Sequence, residues 1–542
     1  MTQEFDYIVI GAGSSGAVIA ARLSEDPDVS VALVEAGGPN RHIFQNTPLA
    51  FLKVANHPRG TWQYQSEPEP GLGGRRLDIP RGRTLGGSSA INAMIYIRGN
   101  ARDYDLWRQQ GCEGWSYADV LPYFRKLENH WRGDSLYHGA GGPVDVTPVD
   151  FPDMQFDALR EAAQAAGFAF NEDANGAQQD GLARMEQNTK NGQRASTFRA
   201  YLEPAAGRKN LTIIPHALTL RVIVEKGHAR GVEILREGKR ETLHARREII
   251  LSAGSYNTPQ ILMLSGIGPA DELRQIGVNC IHDLPEVGRN LSEHPNVLNI
   301  HGARPDTGLT RHLRLDRATF GVARWFLRRD GAFAQNGAAT SAFMRTREGL
   351  DMPDAQIVHM TLSNRAELWL PALTRTPQWC FTARVGAPLK PQSRGWVKLR
   401  STNPADPPRI FLNMFGERED ADTMVRALRI SREIYAQKPL RDLLTQEIAP
   451  GPDVQSDADL ETFARANATH RSHPVGTCRM GNDAQAVVDP QLRLNGVSGL
   501  RIADASIMPA NIAGNTNTPA MMIGEKAADM IRGRSLPPAI LP

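Results

Sequence analysis

The chain has 542 residues, of which 41% are hydrophobic and 22% charged, ordinary globular values that exclude wholesale disorder, collagen-like repeats and coiled coil. Its net charge of +3 is too small at this length to indicate a nucleic-acid or membrane-surface partner. The expected partner is therefore a small molecule.

No segment contains the run of about 18 apolar residues that a membrane span requires. The first apolar run, residues 5–10, leads directly into glycines, so we expect it to belong to the fold and not to a cleaved signal peptide. The four cysteines are scattered without a CxxC pair, which favours a reducing compartment. These features predict a cytoplasmic protein.

The first 35 residues predict a βαβ unit. The strand-like run FDYIVI is followed by the turn GAGSSG, the helical run AVIAARLSED and the strand-like run VSVALVE. Residues 59–102 are rich in glycine and arginine and have little apolar periodicity, which predicts a long loop of functional or ligand-bound character. Apolar positions at helical spacing then predict helices over residues 117–127 and 156–166.

The second half of the chain alternates between short strands and helices. Four β-rich runs within residues 211–251 predict a meander. Strand-like runs at residues 355–362 and 378–385 and a helix at 420–437 carry no glycine-rich nucleotide signature, and we assign them to a second, substrate-facing domain. Glycine-rich turns return after residue 470, followed by a strand at residues 500–503 and a final helix at 519–532.

A dinucleotide-binding pattern lies in the first βαβ unit. Gly11, Gly13 and Gly16 form GxGxxG between a strand and a helix, where glycine permits a tight turn and a close approach of the backbone to a pyrophosphate. Glu35 ends the second strand, the position from which a carboxylate accepts hydrogen bonds from an adenosine ribose. The pattern does not separate NAD from FAD, and a glycine-rich turn without a ligand is the alternative.

Further segments resemble the glucose-methanol-choline (GMC) oxidoreductase family, in particular its bacterial choline- and alcohol-dehydrogenase-like members. The segment GRTLGGSSAIN (residues 82–92) is similar to the first family signature, and GSYNTPQILMLSGIG (254–268) to the second. VGRNLSEHP (287–295) resembles another family block. HPVGTCRMG (473–481), with DASIMP and GNTNTPAMMIG in residues 504–524, resembles the segment that holds the catalytic pair. The matches run from residue 8 to about residue 530 and so cover essentially the whole chain.

The resemblance implies the fold class: an α/β flavoprotein of two domains, with α+β character in the second. Residues 1–150, 194–303 and 465–542 are expected to form a discontinuous, Rossmann-like FAD-binding domain. Residues 151–193 and 304–464 are expected to form the substrate-binding domain, built on an antiparallel sheet.

The resemblance also implies FAD-dependent oxidation of an alcohol. His473 is expected to remove the hydroxyl proton, Asn517 to hydrogen-bond the developing alkoxide, and the carbinol carbon to deliver hydride to flavin N5. The residues agree with these roles, because His473 precedes Pro474 in a glycine-rich loop and not on an apolar helix stripe. A neutral imidazole also titrates near the working pH, as a general base requires.

The residues expected to contact FAD lie in the segments that resemble the family. They are Gly11, Gly13, Ser14, Ser15, Gly16, Glu35, Ala36, Arg83, Gly86, Gly87, Ser88, Asn92, Ala93, Thr219, Ala253, Gly254, Asp504, Ala505, Asn517 and Thr518. Asp504 ends a strand before a turn, where an N-cap aspartate is the alternative. The small side chains of the Gly86–Ser89 turn suit a flat ring lying against the backbone, and a purely structural turn is the alternative.

The FAD is expected to be bound without a covalent bond. Some family members link it through a histidine directly before the asparagine of the first signature, and Ile91 stands at that place.

The identity of the substrate is predicted less directly by the sequence. Choline-oxidising relatives place an aromatic residue before the catalytic histidine, whereas this chain has Ser472, which removes one cation–π wall for a quaternary ammonium. We therefore expect an uncharged primary alcohol, while Arg471 leaves open a substrate with a carboxylate. Choline dehydrogenase or oxidase, a hydroxynitrile lyase-like enzyme with structural FAD, and a non-catalytic flavin-binding protein are the alternatives. A dehydrogenase is preferred over an oxidase, and the electron acceptor, a quinone, carrier or oxygen, is open.

Two further patterns are given their simpler interpretation. His470 and His473 have the spacing of a helical zinc pair, but Pro474 and Gly476 argue against a helix and no third ligand lies near, so no metal is expected. The arginine-rich stretch 311–329 is interpreted as an amphipathic helix with a solvated basic face. Contact with an oligomer partner, or peripherally with the inner membrane, is its alternative.

Overall fold

Two large β-sheets organise the chain in this computed structural model, which describes residues 3–40, 42–55, 57–363, 366–370, 373 and 379–542. The first sheet is mainly parallel and the second mainly antiparallel. They correspond to the two-domain α/β architecture predicted from the sequence.

The first sheet is built around the predicted βαβ unit. Gln3–Ile10 and Val31–Val34 pair in parallel and are connected by the helix Gly16–Leu23. The strands are, in spatial order, Leu211–Ile214, Val31–Val34, Gln3–Ile10, Lys239–Leu251, His228–Arg236 and Ala217–Glu225, with Leu500–Ile502 also paired to Lys239–Leu251. The central strands are buried on both faces, which explains their nearly continuous apolar runs.

The parallel strands of this sheet end together. Ile10 is paired with Val34 and Leu251, Val34 also with Ile214, and Leu251 also with Ile502. The residues that follow these strands therefore emerge at one carboxyl edge, the place where ligands bind in open α/β sheets.

The predicted meander is only partly correct. Ala217–Glu225, His228–Arg236 and Lys239–Leu251 form consecutive antiparallel hairpins as expected. Leu211–Ile214 instead pairs in parallel with Val31–Val34. The physical reason lies in the connection, since Pro215 has no N–H to donate and His216 adopts a left-handed φ of 57°, which turns the chain out of the strand.

The second sheet is antiparallel, as predicted, except for one parallel pair at its edge. Its strands are, in order, Leu444–Ala449, Pro295–Ala303, Cys380–Gly386, Ala355–Met360, Ala338–Met344, Gly181–Arg184 and Phe170–Asn171, with Thr469–His470 beside Pro295–Ala303. Residue 378, the predicted start of one strand, lies outside the described residues.

The domain boundaries need one correction from this sheet. Residues 194–303 and 465–542 were assigned to the FAD-binding domain, yet Pro295–Ala303 and Thr469–His470 are strands of the second sheet. They pair with one another through Pro295 and His470. The point where the chain leaves the first domain therefore lies beside the point where it comes back. The remaining boundaries stay a prediction.

The helices that the sequence predicts begin and end close to their predicted positions, and further helices lie between them. In chain order they are Gly16–Leu23, Ile43–Asn46, Phe51–Ala55, Ala101–Gln109, Tyr117–Leu127, Phe156–Ala165, Glu203–Ala205, Gly254–Leu264, Ala270–Ile276, Leu315–Arg328, Arg418–Tyr435, Leu440–Leu443, Asp457–Asn467 and Asn517–Ile531. The last helix begins two residues before the predicted start, because Pro519 is tolerated in a first turn that needs no N–H donors.

Several small sheets of two or three short strands lie outside the two large sheets. They are Thr61–Trp62 with Arg81–Gly82, Glu128–His130 with Val144–Pro148 and Glu186–Gln187, Thr189–Lys190 with Gln193–Arg194, Ile267–Gly268 with His282–Asp283, and Trp396–Lys398 with Arg409–Phe411. The pair formed by Thr61–Trp62 and Arg81–Gly82 is the main regular structure in the region predicted to be a long loop.

The arginine-rich stretch forms the helix Leu315–Arg328, continuous through Gly321. Trp325 is buried, whereas Phe320 and Leu327 are 74% and 85% exposed, so the outer face is more apolar than a solvated basic face. Contact of this face with a membrane or partner stays a prediction. Within the described residues, no helix combines the length and apolar character needed to traverse a bilayer.

Candidate active site

A cavity of about 760 Å³ joins the carboxyl edge of the first sheet to one face of the second. Most residues predicted to contact FAD line it: Gly11, Gly13, Ser14, Ser15, Glu35, Ala36, Gly87, Ser88, Asn92, Ala93, Thr219, Ala253, Gly254, Asp504, Ala505 and Asn517. His473 lines it as well. The fold therefore brings predicted residues from segments spread over the whole chain into one cavity.

Four predicted residues do not line the cavity. Gly16 and Gly86 pack against backbone and side chains of their neighbours, and the Arg83 guanidinium lies 4.2 Å from the centroid of the Trp62 ring. Thr518 is fully buried, and its hydroxyl oxygen has no hydrogen-bond partner. These residues surround the cavity without facing it.

Three helices begin at the cavity: Gly16–Leu23, Gly254–Leu264 and Asn517–Ile531. None of them has a side-chain hydrogen bond at its N-cap or an acidic residue in its first turn. The positive dipole ends of Gly16–Leu23 and Asn517–Ile531 are consequently available to an anion such as a pyrophosphate, whereas the first amide of Gly254–Leu264 already donates to the Asp504 carboxylate.

Two glycines shape this cradle. A Cβ atom at Gly13 would meet nothing within 4 Å, so the backbone there is open to close approach. Gly87 has a φ of +50°, and a Cβ atom would lie 2.7 Å from the Cα of Gly13. The first family signature thus packs directly on the GxGxxG turn, a contact that only glycine permits.

Glu35 connects the GxGxxG turn to the second strand. Its carboxylate accepts hydrogen bonds from the backbone N–H groups of Ala12 at 3.0 Å and Gly37 at 2.8 Å. Burial raises the pKa of Glu35 to about 7, against the opposing effect of these two hydrogen bonds. The side chain lines the cavity, where it could reach a bound ribose. It also fixes the backbone of the turn through Ala12 and Gly37.

Asp504 makes the contacts of an N-cap aspartate, which was the alternative to a cofactor ligand. It accepts hydrogen bonds from the backbone N–H groups of Ser506 at 2.8 Å and Gly254 at 2.8 Å, and from the Thr258 hydroxyl at 2.6 Å. It therefore caps one short helix and fixes the start of another. Direct contact of Asp504 with a cofactor stays a prediction.

The hydrogen bonds around His473 determine which of its nitrogens carries the proton. His473 Nδ1 lies 2.9 Å from His294 Nδ1, and His294 Nε2 lies 2.9 Å from the carbonyl oxygen of Leu389. Because a carbonyl only accepts, His294 Nε2 must donate, so in the neutral ring His294 Nδ1 accepts and His473 Nδ1 donates. His473 Nε2 is left with its lone pair, as a general base needs.

Electrostatics keep both rings neutral. Burial lowers the pKa of His294 to about 3, with a further contribution from the Arg471 guanidinium. Burial, followed by His294 and Arg471, also holds the pKa of His473 well below its ordinary value. The tautomers derived from the hydrogen bonds are thus the states present at neutral pH.

Asn515, and not Asn517, is the amide at His473. Asn515 Nδ2 lies 3.0 Å from His473 Nε2, and Asn515 Oδ1 accepts a hydrogen bond from Gln356 at 3.3 Å, which orients the amide. Asn517 instead accepts a hydrogen bond from the Ser14 hydroxyl at 2.7 Å. The predicted pairing is corrected accordingly, because Pro519 sets the first helical turn over Asn517 and leaves only Asn515 in the preceding loop.

The two histidines with zinc-like spacing do not converge on a common point. His470 Nε2 lies 2.8 Å from the carbonyl oxygen of Asp78, and His470 Nδ1 lies 3.1 Å from the Ser472 hydroxyl. Both nitrogens of His473 are engaged elsewhere, by His294 and Asn515.

Sequence reasoning missed His294 and Arg384. His294 lies in the family block VGRNLSEHP but was given no role, although a histidine beside a glutamate in a buried segment is a signal. Arg384 is the single charged residue of the largely buried strand Cys380–Gly386, and it lines the cavity. A charge in such a strand is the pattern that could have found it.

Comparisons with known proteins agree with this site. Two models of the GMC oxidoreductase family match the chain, the N-terminal one over residues 5–296 and the C-terminal one over residues 391–524. The oxygen-dependent choline dehydrogenase of Rhizobium etli is 41% identical over 98% of this chain and 96% of its own length. The mitochondrial choline dehydrogenase of Mus musculus is 41% identical over 98% of this chain and 90% of its own.

Solved structures show the same architecture. Formate oxidase of Aspergillus oryzae superimposes with a TM-score of 0.92 at 28% identity, covering 98% of both chains. Pyridoxine 4-oxidase from Mesorbium loti gives a TM-score of 0.87 at 29% identity, covering 98% of this chain and 100% of that one. The matching family models, relatives and structures show that the chain belongs to the GMC oxidoreductase family, as an FAD-dependent oxidoreductase that acts on CH–OH groups.

Proposed function

We propose that this enzyme oxidises a primary alcohol to the aldehyde, with His473 as the base. The observation that carries the proposal is the His473 Nε2 lone pair, which lies on the cavity wall at 3.0 Å from the Asn515 amide. A substrate hydroxyl placed against both groups donates its hydrogen bond to Nε2 and accepts one from Asn515 Nδ2.

Each residue of the wall then has one task. His473 Nε2 takes the hydroxyl proton, Asn515 stabilises the negative charge that develops on the oxygen, and His294 holds His473 in the tautomer that can accept. A positioned base contributes about 10²–10⁴-fold to the rate. One hydrogen bond to a charged group contributes about 1.5–3 kcal/mol.

The cavity also suits the cofactor. The starts of Gly16–Leu23 and Asn517–Ile531 and the turn at Gly13 would hold the phosphates, Glu35 the ribose, and the segment Gly87–Ala93 the ring system. FAD, when bound, supplies the acceptor for the hydride that leaves the carbinol carbon. The protein supplies the base, the orientation and the exclusion of water.

Choline is the second candidate substrate, because relatives at 41% identity carry that name. The cavity argues against it. Two of its four aromatic rings already carry a cation, Trp62 the Arg83 guanidinium at 4.2 Å and Tyr256 that of Arg81 at 5.3 Å, which leaves Phe51 and Tyr64. A quaternary ammonium would compete with these cations for the same ring faces.

A panel of alcohols added anaerobically, and scored by bleaching of the flavin absorbance, tests the function. Bleaching by a primary alcohol is expected. An unchanged spectrum with every alcohol, together with cyanohydrin cleavage or with no turnover, would instead support the lyase or the non-catalytic alternative. Repeating the reoxidation with air and with a quinone mimic separates an oxidase from the dehydrogenase we propose.

The two asparagines give the site a matched pair of variants. Asn515→Ala is expected to slow flavin reduction about 10-fold or more, because it removes the hydrogen bond to the developing alkoxide. Asn517→Ala removes the partner of Ser14 and is expected to weaken cofactor binding more than the chemical step. Anaerobic stopped-flow on FAD-saturated protein measures the rate, and the reverse order of the two effects would restore Asn517 to the role first predicted.

Ile91 predicts how the cofactor is held. Its side chain lines the cavity but has no nitrogen or sulfur to attack the flavin ring. Acid precipitation is therefore expected to release the yellow colour into the supernatant, and added FAD to raise the melting temperature of dilute enzyme by mass action. A pellet that stays yellow would show that another residue forms a covalent link.

A further inference from the structure

Four arginines line the cavity together with His473. Arg76 is exposed and lies beside Glu67, and the other three are Arg81, Arg384 and Arg471. A wall with this much positive charge beside the proposed base needs a counter-charge, and the described residues provide one for only part of it.

Arg81 is the neutralised member of the set. One of its guanidinium nitrogens lies 3.8 Å from Glu293 Oε2, and another donates to the carbonyl oxygen of Ser472 at 3.1 Å. The other oxygen of Glu293 accepts from the backbone N–H groups of His473 at 2.7 Å and His294 at 3.0 Å. Glu293 is thus bound to Arg81 and to the backbone, and it acts on Arg471 only from beyond ion-pair distance.

Arg384 and Arg471 have no such partner. Among the described residues, no carboxylate lies within ion-pair distance of either guanidinium. Arg471 donates one hydrogen bond, to the carbonyl oxygen of Gln356 at 3.1 Å. Burial and the neighbouring Arg384 lower the pKa of Arg471 to about 9, so it stays protonated at neutral pH.

The two guanidiniums share one face of the second sheet. Arg384 and Gly386 are two residues apart on one strand, so their side-chain positions lie on the same face. The Arg471 guanidinium lies directly against Gly386, where an added Cβ atom would collide with it. Val358, the strand neighbour of Arg384, lines the cavity, so this face is the one turned toward it.

Arg384 and Arg471 are half-buried at the cavity wall and lack an ion-pair partner among the described residues, which costs free energy that a ligand of opposite charge would offset. We propose that the substrate is a primary alcohol that also carries a carboxylate, and that Arg384 and Arg471 bind that carboxylate while its hydroxyl meets His473 and Asn515. This inference rests on the proposed alcohol oxidation and replaces the expectation of an uncharged substrate. It also predicts weak binding of a cation such as choline.

The wild-type holoenzyme provides the first test. Linear ω-hydroxycarboxylates, from hydroxypropanoate to hydroxyhexanoate, are compared anaerobically with their methyl esters, with diols of the same length and with choline. At least one free acid is expected to bleach the flavin with an apparent Kd at least about tenfold below that of its ester, the gain of a charge-assisted contact. An ester, diol or choline that binds as tightly as every acid would overturn the inference and leave alcohol oxidation intact.

Arginine variants locate the binding. Arg384→Gln and Arg471→Gln are each expected to raise the Kd of the best acid at least about tenfold more than that of the diol of the same length. Gly386→Ala, which displaces Arg471 without removing its charge, is expected to act in the same direction. Arg345→Gln, at an exposed ion pair with Asp180, is the control. Equal losses with acid and diol would show that the arginines serve the cofactor and would overturn the proposal.

A binding measurement keeps the two proposals separable. Carboxylates without a hydroxyl, such as butanoate and pentanoate, are titrated calorimetrically into wild-type holoenzyme and into the Arg384→Lys and Arg471→Lys variants. Binding to the wild type that weakens in the variants supports the anion site even if no alcohol reduces the flavin, in which case only the proposed oxidation fails. No binding of any carboxylate to the wild type overturns the site.

Discussion

His473→Ala is expected to keep its bound FAD and to lose at least about 10²-fold in the rate of flavin reduction, the lower end of what a positioned base contributes. The hydrogen bonds to His294 and Asn515 leave His473 Nε2 as the accepting nitrogen on the cavity wall. Its lone pair accepts from Asn515 Nδ2 at 3.0 Å, and a substrate hydroxyl would share this position. Anaerobic stopped-flow with a saturating alcohol measures the effect.

Two controls separate chemistry from damage. The variant leaves His294 Nδ1 without its donor, which costs about 1–3 kcal/mol of stability, so FAD content and melting temperature are measured in parallel. His228→Ala, whose ring hydrogen-bonds the Ser498 hydroxyl at 2.9 Å and does not line the cavity, is expected to reduce its flavin at the wild-type rate. A His473→Ala enzyme with wild-type kinetics would remove His473 from the role of base.

The parts of the fold that are local in sequence were predictable. The βαβ unit follows from alternating runs of strand and helix character around GxGxxG, and Tyr117–Leu127 follows from apolar spacing. The cofactor cradle was predictable for a related reason. Its residues follow directly after strands, and parallel strands end at one edge, so strand ends separated by hundreds of residues meet there.

The parts that depend on distant partners were not predictable. Leu211–Ile214 has the same composition in a meander as in a parallel edge position, and only its pairing with Val31–Val34 decides between them. Pro295–Ala303 reads as an ordinary strand until its partner Cys380–Gly386 is known. Local pattern defines the element, whereas its neighbours are set by contacts across the whole chain.

The choice between two asparagines shows the same limit at the site. Asn515 and Asn517 lie in one turn, and the sequence alone does not say which faces His473. The outcome depends on where the last helix begins, which places one amide in the loop and the other against Ser14. The same limit holds for Arg384. Its position at the cavity depends on how the second sheet lies against the edge of the first, which the local sequence does not show.

Glu35→Ala is expected to purify largely without FAD. We propose the carboxylate as the acceptor for the ribose hydroxyls, and losing hydrogen bonds to a charged group weakens binding by about 1.5–3 kcal/mol, or roughly 10- to 150-fold in Kd. The substitution also leaves the N–H groups of Ala12 and Gly37 without their acceptor, which loosens the GxGxxG turn. The FAD to protein ratio of the purified variant, and its Kd for added FAD, measure the loss.

Glu35→Gln distinguishes the two causes, because its amide keeps one acceptor oxygen but no charge. The pKa of Glu35 is raised from 4.5 to about 7, so the stability contributed by this group to the apoprotein is fully present below pH 4.5 and is lost as the pH rises through 7. The glutamine variant is therefore expected to flatten the decline of apoprotein stability over that range, while binding FAD more weakly than the wild type. If Glu35→Ala instead retained stoichiometric FAD, the ribose would have to be held by backbone groups alone, and Glu35 would serve only to fix the turn between Ala12 and Gly37.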